Sequence, residues 1–287
     1  MVPGGIRVIR LTPQQWERPV SFWPLGDIHW SSAACDEELF AKTRVAIASD
    51  PMARWLGMGD YCDLISLRDP KRFQGETIDP KFWVTILKSH GPTMIRHMVT
   101  ELGPIKGQGL GLLAGNHEKT YSERFEQQIV PDAATGLGLP YLGYSTILEV
   151  RLVRIGRKPL CHKFRICAHH GAGGAQTRGG KLNRVERFAQ DFDADVYFYG
   201  HIHDVFDLSM IELGGDADCT QLLARPRVAV ATGSYYRAYA DLEGGATTYA
   251  EMRGLRPSPL GSPCVKIVPS TGALSIQKPG GQLQWRE

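Results

Sequence analysis

The chain has 287 residues, 43% of them hydrophobic, which is enough for one large domain or two small ones with a substantial core. Its 33 lysine and arginine residues nearly balance 30 aspartate and glutamate residues, so the formal net charge of +3 indicates neither a nucleic-acid nor a membrane partner. The six cysteines form no CxxC pair, and no apolar run has the length of a membrane span or the form of a signal peptide. We therefore expect a cytoplasmic protein with reduced thiols and no membrane contact.

The first half of the chain alternates short apolar runs with helical patterns. Asp36 is suited to cap a helix that continues through residue 48. Asp79-Pro80 predicts the start of a second helix, which we expect to be broken or kinked at Gly91-Pro92 and to end at Gly103-Pro104. Buried strands are predicted around these helices and further along the chain, at residues 20–25, 54–58, 109–114, 164–168 and 196–199.

The second half of the chain is richer in strands. After the fourth strand, a helix is predicted whose buried side carries Leu182, Val185, Phe188 and Phe192. Further strands are predicted at residues 148–152, 227–232, 264–268 and 273–277. Alternating strands and helices indicate an α/β fold, whose ligands collect at the carboxyl ends of the strands. No segment resembles a linker or a repeat, so we expect a single domain over residues 1–287.

Five polar motifs directly follow the predicted buried strands, and six of the nine histidines lie in them. They are Asp27-Ile28-His29, Gly59-Asp60-Tyr61-Cys62-Asp63, Gly115-Asn116-His117-Glu118, His169-His170-Gly171 and Gly200-His201-Ile202-His203. The mixed oxygen and nitrogen donors suit Mn, Fe or Zn rather than Ca. In an extended chain, side chains two residues apart point the same way, so the pair Asp27 and His29, and the pair His201 and His203, are each expected to bind one ion.

A pair of ions that share one carboxylate is the arrangement these donors favour. Asp60 is the candidate for the shared ligand. One ion is then expected to bind Asp27, His29, Asp60 and His203, and the other Asp60, Asn116, a histidine of the fourth motif and His201. Two ions about 3.5–4 Å apart can hold and activate a water molecule and bind a phosphoryl group. His117, next to a ligand, is a candidate general acid, and Glu118 or Asp63 could orient it or another imidazole.

In order and in spacing type, the five motifs resemble those of the calcineurin-like metallophosphoesterase superfamily. The resemblance covers residues 27–203. It implies a four-layer αββα sandwich, in which two mixed β-sheets are flanked by helices. It also implies a binuclear metal centre and hydrolysis by a metal-bound hydroxide, without a covalent intermediate.

Two of the motifs leave a choice. In the fourth motif, both His169 and His170 qualify as the ligand. His170 shares a strand face with Ile166 and Ala168, and the ligand of the superfamily is often followed by glycine, so His170 is favoured and His169 is assigned a supporting role. In the second motif, the superfamily's protein Ser/Thr phosphatases carry Arg-Gly where Leu64-Ile65 follows Asp63 here. This difference disfavours a phosphoprotein phosphatase.

The sequence therefore predicts a hydrolase, most simply a phosphodiesterase, with a metal-bridging hydroxide as nucleophile and His117 as general acid. The expected substrate is a small phosphate ester, including a nucleotide or a nucleic-acid end, and the expected metals are Mn, Fe or Zn rather than Mg. A broad-specificity phosphomonoesterase, a nuclease of the same superfamily and an inactive metal-binding scaffold are the alternatives. A homo-oligomer is left open.

Some residues outside the ligand set have both a functional and an ordinary interpretation. Arg178 is a candidate for binding the remaining phosphate charge, whereas the cations that follow it at three-residue spacing, Lys181, Arg184 and Arg187, are expected on a solvated helix face. A stacking surface or simple packing would each explain the run Tyr235, Tyr236 and Arg237. Ordinary structural roles are expected for Cys62, His90, His97 and His162.

Overall fold

A computed structural model describes residues 6–65, 75–156, 158–216, 218–242 and 247–279, without the side chains of residues 76 and 85–88. These parts of the chain contain eleven strands and six α-helices, and the strands form two mixed β-sheets. The α/β class predicted from the sequence is therefore confirmed, and the arrangement is consistent with an α/β sandwich.

The larger sheet has six strands. Their order is β1 (Ile6–Leu11), β5 (Ser145–Arg154), β6 (Leu160–His169), β7 (Val196–Tyr199), β9 (Leu222–Thr232) and β8 (Val205–Gly215). β7 is parallel to both of its neighbours, whereas β5 with β6 and β8 with β9 are antiparallel pairs. The four strands predicted in this region are confirmed, although three of them are longer than expected. The edge strands β1 and β8 were not predicted.

The smaller sheet has five strands. Their order is β11 (Leu274–Gln277), β10 (Cys264–Ile267), β2 (Val20–Leu25), β3 (Ala53–Gly57) and β4 (Gly109–Leu112). β2, β3 and β4 are parallel, and β10 is antiparallel to β2. The prediction for β2 matches its bounds, and β3 begins one residue earlier than predicted. The strand predicted at residues 109–114 ends at Leu112, and residues 113 and 114 form a loop.

Six α-helices connect and cover the strands. They are α1 (Glu37–Ser49), α2 (Trp83–Leu102), α3 (Asn116–Phe125), α4 (Ile129–Leu137), α5 (Arg178–Asp191) and α6 (Tyr249–Met252). Asp36 caps α1 as predicted, because its side chain accepts a hydrogen bond from the amide of Leu39. Asp79 caps a short 3₁₀ helix, Pro80–Phe82, so the predicted second helix begins later than expected.

The kink in α2 lies earlier than the sequence suggested. The non-helical residue is Ser89, with φ −161° and ψ 53°, and the helix continues through Pro92 to Leu102. Counted from Ser89, Pro92 lies in the first turn of a new helical segment, where its missing N–H leaves no helical hydrogen bond unmade. The predicted stripe of α5 also needs one correction. Phe192 follows the last residue of α5 and is 40% exposed, because the chain turns there into extended backbone.

Three clusters of buried side chains fix the positions of the sheets and helices. The first joins the facing sides of the two sheets, with residues such as Phe22 and Leu56 packed with Val150 and Ile166. The second joins the smaller sheet to α1, α2 and α4. The third joins the larger sheet to α5, and includes Val185 with Tyr197 and Ala229. Because the sheets face each other, loops at the carboxyl ends of their parallel strands can meet.

Candidate metal centre

The five motifs meet at the carboxyl ends of strands from both sheets. Asp27 and His29 follow β2, and Asp60 follows β3. Asn116 is the first residue of α3, after β4. His170 follows β6, and His201 and His203 follow β7. The seven predicted ligands therefore come together from five segments that are widely separated in the sequence.

Five of these residues have a backbone conformation that non-glycine residues rarely adopt. The φ angles are 49° at Asp27, 59° at His29, 49° at Asp60, 66° at His201 and 44° at His203. Left-handed conformations of this kind cost free energy and concentrate at functional sites. The extended-chain argument for pairing side chains two residues apart is therefore wrong, because these loops are not extended.

Glycines allow the motif loops to approach one another. A Cβ atom on Gly115 would lie 2.1 Å from Oδ1 of Asp60 and 2.2 Å from its amide nitrogen. Gly171 has φ +110°, and a Cβ there would lie 2.3 Å from the backbone oxygen of Gly200. Any side chain at either position would separate loops that carry ligands.

One group of potential metal ligands consists of Asp27, His29 and His203. The Nε2 atoms of His29 and His203 are 3.1 Å apart, and Nε2 of His203 is 3.2 Å from Oδ1 of Asp27. The other ring nitrogen of His29, Nδ1, lies 3.1 Å from a carboxylate oxygen of Asp63. A carboxylate on Nδ1 holds the proton there and leaves Nε2 free to bind a cation.

A second group consists of Asp60, His170 and His201, with Asn116 beside it. Nε2 of His170 lies 3.1 Å from the side-chain oxygen of Asn116 and 3.3 Å from Oδ2 of Asp60. Nδ1 of His201 lies 3.9 Å from the same Oδ2 atom. His201 and His203 thus lie in different groups, which contradicts the pairing expected for an extended chain and agrees with the expected division of ligands between two ions.

The two carboxylate oxygens of Asp60 have different contacts: Oδ2 faces His170 and His201, whereas Oδ1 is bound by a backbone amide. Its Oδ1 accepts a hydrogen bond of 2.9 Å from the amide of His117. Burial opposes ionisation of Asp60, but the neighbouring imidazoles of His170 and His117 hold its pKa well below the usual range. Ionised Asp60 is thus a member of the second group, and its sharing between two ions remains a prediction.

The adjacent histidines of the fourth motif point to different surroundings. His170 is fully buried, and its ring faces the second group. The ring of His169 stacks on Tyr199 at 5.7 Å between centroids, and its Nδ1 accepts a hydrogen bond from the amide of Gly171. Burial lowers the pKa of His169 to about 4. The structure therefore brings His170, and not His169, to the ligand groups.

Both groups contain a buried polar atom without a hydrogen-bond partner. These atoms are Oδ1 of Asp27 in the first group and Nδ1 of His201 in the second, because neither the 3.2 Å contact of Asp27 with His203 nor the 3.9 Å contact of His201 with Asp60 is a hydrogen bond. An unsatisfied buried polar atom costs about 1–3 kcal/mol, and such atoms call for an explanation in a native structure. A cation in each group would satisfy both atoms. The buried Asp and His side chains could therefore hold metal ions through oxygen and nitrogen donors.

His117 lies beside the first group, and it forms a further cluster of potential metal ligands with His29 and Asp63. Its ring centroid is 4.8 Å from that of His29, in an edge-to-face contact. Its Nδ1 lies against the backbone oxygen of Asp63, which can only accept, so Nδ1 carries a proton. Burial opposes protonation of His117, but the carboxylates of Asp60 and Asp63 raise its pKa above the ordinary value. Nε2 of His117 is the atom left for a substrate.

Glu118 connects two motif segments, and its carboxylate forms hydrogen bonds with backbone amides of residues 60, 62 and 115. Its carboxylate accepts hydrogen bonds of 3.0 Å from the amides of Asp60, Cys62 and Gly115. The side chain is 1% exposed. Glu118 therefore holds the second and third motifs in register, whereas Asp63 contacts both His29 and His117.

A cavity of about 450 Å³ opens above both groups of ligands. Of the basic residues at the start of α5, Lys181 lines this cavity, whereas Arg178 is exposed and does not. Lys181 is buried and lies 3.3 Å from Oδ2 of Asp204, so its assignment to a solvated face is wrong. Its ion-pair partner lies 23 residues away in sequence and could not be identified from helix spacing.

Only one residue of the run at 235–237 reaches the cavity. Tyr236 lines it, with its ring 5.2 Å from that of His29. Tyr235 is fully buried and packs on Phe40, and Arg237 donates to backbone oxygens of residues 33–35. Arg253 and Arg256 also line the cavity. Neither arginine was predicted to lie at the site, since both are far from the last motif and no sequence pattern connects them to it.

The remaining histidines lie outside the site. His97 packs edge-on against Trp30 and Phe82, and His162 packs against Phe164. His90 is 4% exposed, and neither of its ring nitrogens has a hydrogen-bond partner in the described part of the chain. Cys62 is fully buried, which agrees with the ordinary role expected for it.

Comparison with known proteins does not assign the chain to a family. No protein-family model matches the chain, and a search of curated proteins finds no match. Among the described helices, none combines the length and the apolar character that crossing a bilayer requires.

Proposed function

We propose that this protein is a metal-dependent phosphoesterase, and most specifically a phosphodiesterase. The observation that carries the proposal is the presence of two adjacent groups of buried Asp and His side chains, each with an unpartnered polar atom, at the floor of one cavity. Two adjacent cations at such a floor, when bound, supply Lewis acidity toward a phosphoryl oxygen and lower the pKa of a water molecule.

The fold supports the same proposal. Two facing mixed sheets, with helices packed against them, are consistent with the metallophosphoesterase-type four-layer αββα sandwich that we propose. The motif residues that carry the resemblance to the calcineurin-like superfamily lie at or directly after the carboxyl ends of the strands that lead to the cavity. We therefore propose membership of that superfamily on motif order, ligand geometry and layer arrangement together.

The residues around the ligand groups have separable roles in this proposal. Asp63 holds His29 with Nε2 toward the first group, and the backbone oxygen of Met58 holds His170 with Nε2 toward the second. His117 presents Nε2 to the cavity and donates a proton to the departing ester oxygen. A diester is favoured over a phosphoprotein because Leu64-Ile65 follows Asp63 where an Arg-Gly pair would bind a protein-linked phosphate.

Metal reconstitution with paired substrates tests the proposal. The purified protein is stripped with a chelator and reloaded separately with Mn, Zn, Fe or Mg. Rates are then measured with bis-p-nitrophenyl phosphate and with p-nitrophenyl phosphate. We expect activity to return with Mn, Zn or Fe, and the diester to be hydrolysed faster than the monoester.

The other outcomes of this experiment are equally informative. Faster hydrolysis of the monoester would assign the protein as a phosphomonoesterase. Metal binding without turnover of either ester would overturn the proposal and leave a metal-binding scaffold. The Asp27→Asn variant serves as the control for contaminating phosphatases, because its orphaned Oδ1 atom belongs to the first ligand group.

A further inference from the structure

The cavity extends well beyond the space that a reacting phosphoryl group needs. Its volume of about 450 Å³ lies within the range of pockets that enclose whole small ligands, roughly 300–1,000 Å³. The ligand groups occupy its floor, whereas α6 and the segment after it supply an outer wall that contains Tyr249, Leu255 and two arginines. A substrate of the proposed phosphoesterase would therefore contact this wall through its organic part.

Within the described part of the chain, the charges of Arg253 and Arg256 are not neutralised by a carboxylate, unlike the charge of Lys181, which lines the same cavity. Lys181 is paired with Asp204, and its charge is largely compensated. Within the described part of the chain, by contrast, no carboxylate lies within ion-pair distance of the guanidinium of Arg253 or Arg256. Arg253 lies over the ring of Tyr249, 5.4 Å from its centroid, which holds the guanidinium without neutralising its charge.

Two hydrogen bonds hold the wall segment in shape, and a third connects it to the loop that carries His203. The amide of Arg253 donates to the backbone oxygen of Tyr249, and the amide of Leu255 donates to that of Ala250. The hydroxyl of Ser258 donates to the backbone oxygen of His203, a residue of the first ligand group. The arginines are thus held by a segment that is fastened to the metal-ligand loop.

We propose that Arg253 and Arg256 form a second anion subsite, and that the substrate is a phosphate ester whose organic part carries a further phosphate. The inference rests on the proposed function for the identity of the reacting group. Two arginines provide forked donors that match the oxygens of a phosphate, and each contact is charge-assisted. The ring of Tyr249 lies alongside and gives the organic part an aromatic surface.

A pair of substrates that differ only in the second phosphate tests this subsite. One is the p-nitrophenyl ester of thymidine 5′-phosphate, and the other is the same ester with a 3′-phosphate. In both, water adds to the 5′ phosphorus and p-nitrophenolate leaves, so the chemical step is shared. We expect the 3′-phosphorylated ester to have a kcat/KM about tenfold higher, mainly through KM, as charge-assisted contacts predict.

Charge-neutralising variants assign the preference to the two arginines. Arg253→Gln and Arg256→Gln should each lower kcat/KM more for the 3′-phosphorylated ester than for the other ester, and so reduce the preference. Arg187→Gln is the matched control, because Arg187 is an exposed arginine of α5 outside the cavity. A preference that survives in both wall variants, or that falls equally in the control, would overturn the subsite.

Direct binding separates a failure of the subsite from a failure of the proposed function. Calorimetry on the metal-loaded protein compares thymidine 3′,5′-bisphosphate with thymidine 5′-phosphate. A tighter bisphosphate that depends on Arg253 and Arg256 supports the subsite even where no ester is hydrolysed. Equal dissociation constants, together with hydrolysis of both esters, would refute the subsite and leave the phosphoesterase proposal in place.

Discussion

The Nδ1 atom of His170 lies 2.7 Å from the backbone oxygen of Met58, the residue that precedes the second motif. A carbonyl oxygen only accepts, so Nδ1 carries a proton and Nε2 is the ring atom that faces the side-chain oxygen of Asn116 and Oδ2 of Asp60. Burial opposes protonation of His170, but the carboxylate of Asp60 raises its pKa to about 9, so without a metal Nε2 also carries a proton toward these oxygens. A cation bound between the three atoms would take the place of that proton.

The first prediction follows from this geometry. His170→Ala should weaken metal binding much more than His169→Ala, because only His170 directs a ring nitrogen into a ligand group. Loss of a residue that merely supports a ligand costs roughly 10–100-fold in affinity, so an effect of His169→Ala of that size is compatible with the assignment. Competition with a chromophoric chelator measures both affinities. A larger loss in His169→Ala would transfer the ligand role to His169.

The second prediction separates the two ligand groups by metal content. The wild-type protein should bind two equivalents of metal, since each group has its own unpartnered atom. Asp27→Asn should retain one equivalent, because Asp27 belongs only to the first group. Metal analysis after dialysis against a weak chelator gives these values. Unchanged binding of two equivalents by Asp27→Asn would contradict the first group.

The same measurement on Asp60→Ala decides whether Asp60 is shared between the ions. If Asp60 serves both groups, the variant should lose both tight sites. If it serves only the second group, where its Oδ2 lies in the structure, one tight equivalent should remain. Asp63→Ala provides a comparison, because Asp63 contacts Nδ1 of His29 and belongs to neither group assigned to the ions, although it lies in the further cluster with His29 and His117.

The sequence alone was enough to predict the strands that end at the site. Residues 20–25 and 196–199 are short apolar runs buried on both sides, and such runs leave little choice of structure. β1 was missed because its side chains are only half-buried or exposed, and β8 because most of its outer half is exposed. Edge strands carry a weaker pattern, since one neighbouring strand is missing.

The sequence also indicated which polar residues converge, but not how their loops are shaped. The left-handed backbone at Asp27, Asp60 and His203 could not be predicted, because no glycine or asparagine marks those positions. The same limit applies to Lys181, whose burial depends on Asp204 from a different loop. Contacts between segments distant in sequence determine both features.

The third prediction concerns the carboxylate of Glu118. Glu118→Gln replaces one accepting oxygen with an amide nitrogen that cannot accept, so at least one buried amide of residues 60, 62 and 115 loses its partner. The expected loss of stability is about 1–3 kcal/mol. Urea unfolding of the metal-free protein measures it. Glu123→Gln is the control, because Glu123 is exposed and forms only a weak pair with Lys119. Equal stability of both variants would contradict the fastening role.

The fourth prediction is that the buried imidazole of His90 makes the free energy of unfolding depend on pH. Burial lowers the pKa of His90 from 6.5 to about 4, and the nearby charge of Asp63 offsets this only in part. The unfolded chain therefore takes up the proton first, so the folded state loses stability as pH falls from 6.5 to 4. The full loss is about 3 kcal/mol and is reached below the folded pKa.

His90→Leu should remove this contribution. Unfolding free energies of the metal-free wild type and variant are compared between pH 4 and pH 8. At pH 8 the imidazole is neutral in both states, so the difference there reports only the change in packing. The variant should then lose less stability than the wild type on acidification. Parallel curves down to pH 4 would show that His90 does not contribute.

The last prediction assigns His117 to the departing group. His117→Ala should keep both metals, because the two groups assigned to the ions do not include His117. In its further cluster with His29 and Asp63, Nδ1 of His117 carries a proton toward the backbone oxygen of Asp63 and is not free to bind an ion. It should lower the rate on alkyl or nucleotide esters by roughly 10²–10⁴, the usual contribution of a positioned acid. A p-nitrophenolate group is stable as an anion and needs little protonation, so its release should slow much less. Rates for a series of leaving groups, measured at saturating metal, should depend more steeply on leaving-group pKa in the variant than in the wild type. Equal slopes would exclude His117 as the acid and restrict it to contact with the phosphoryl oxygens.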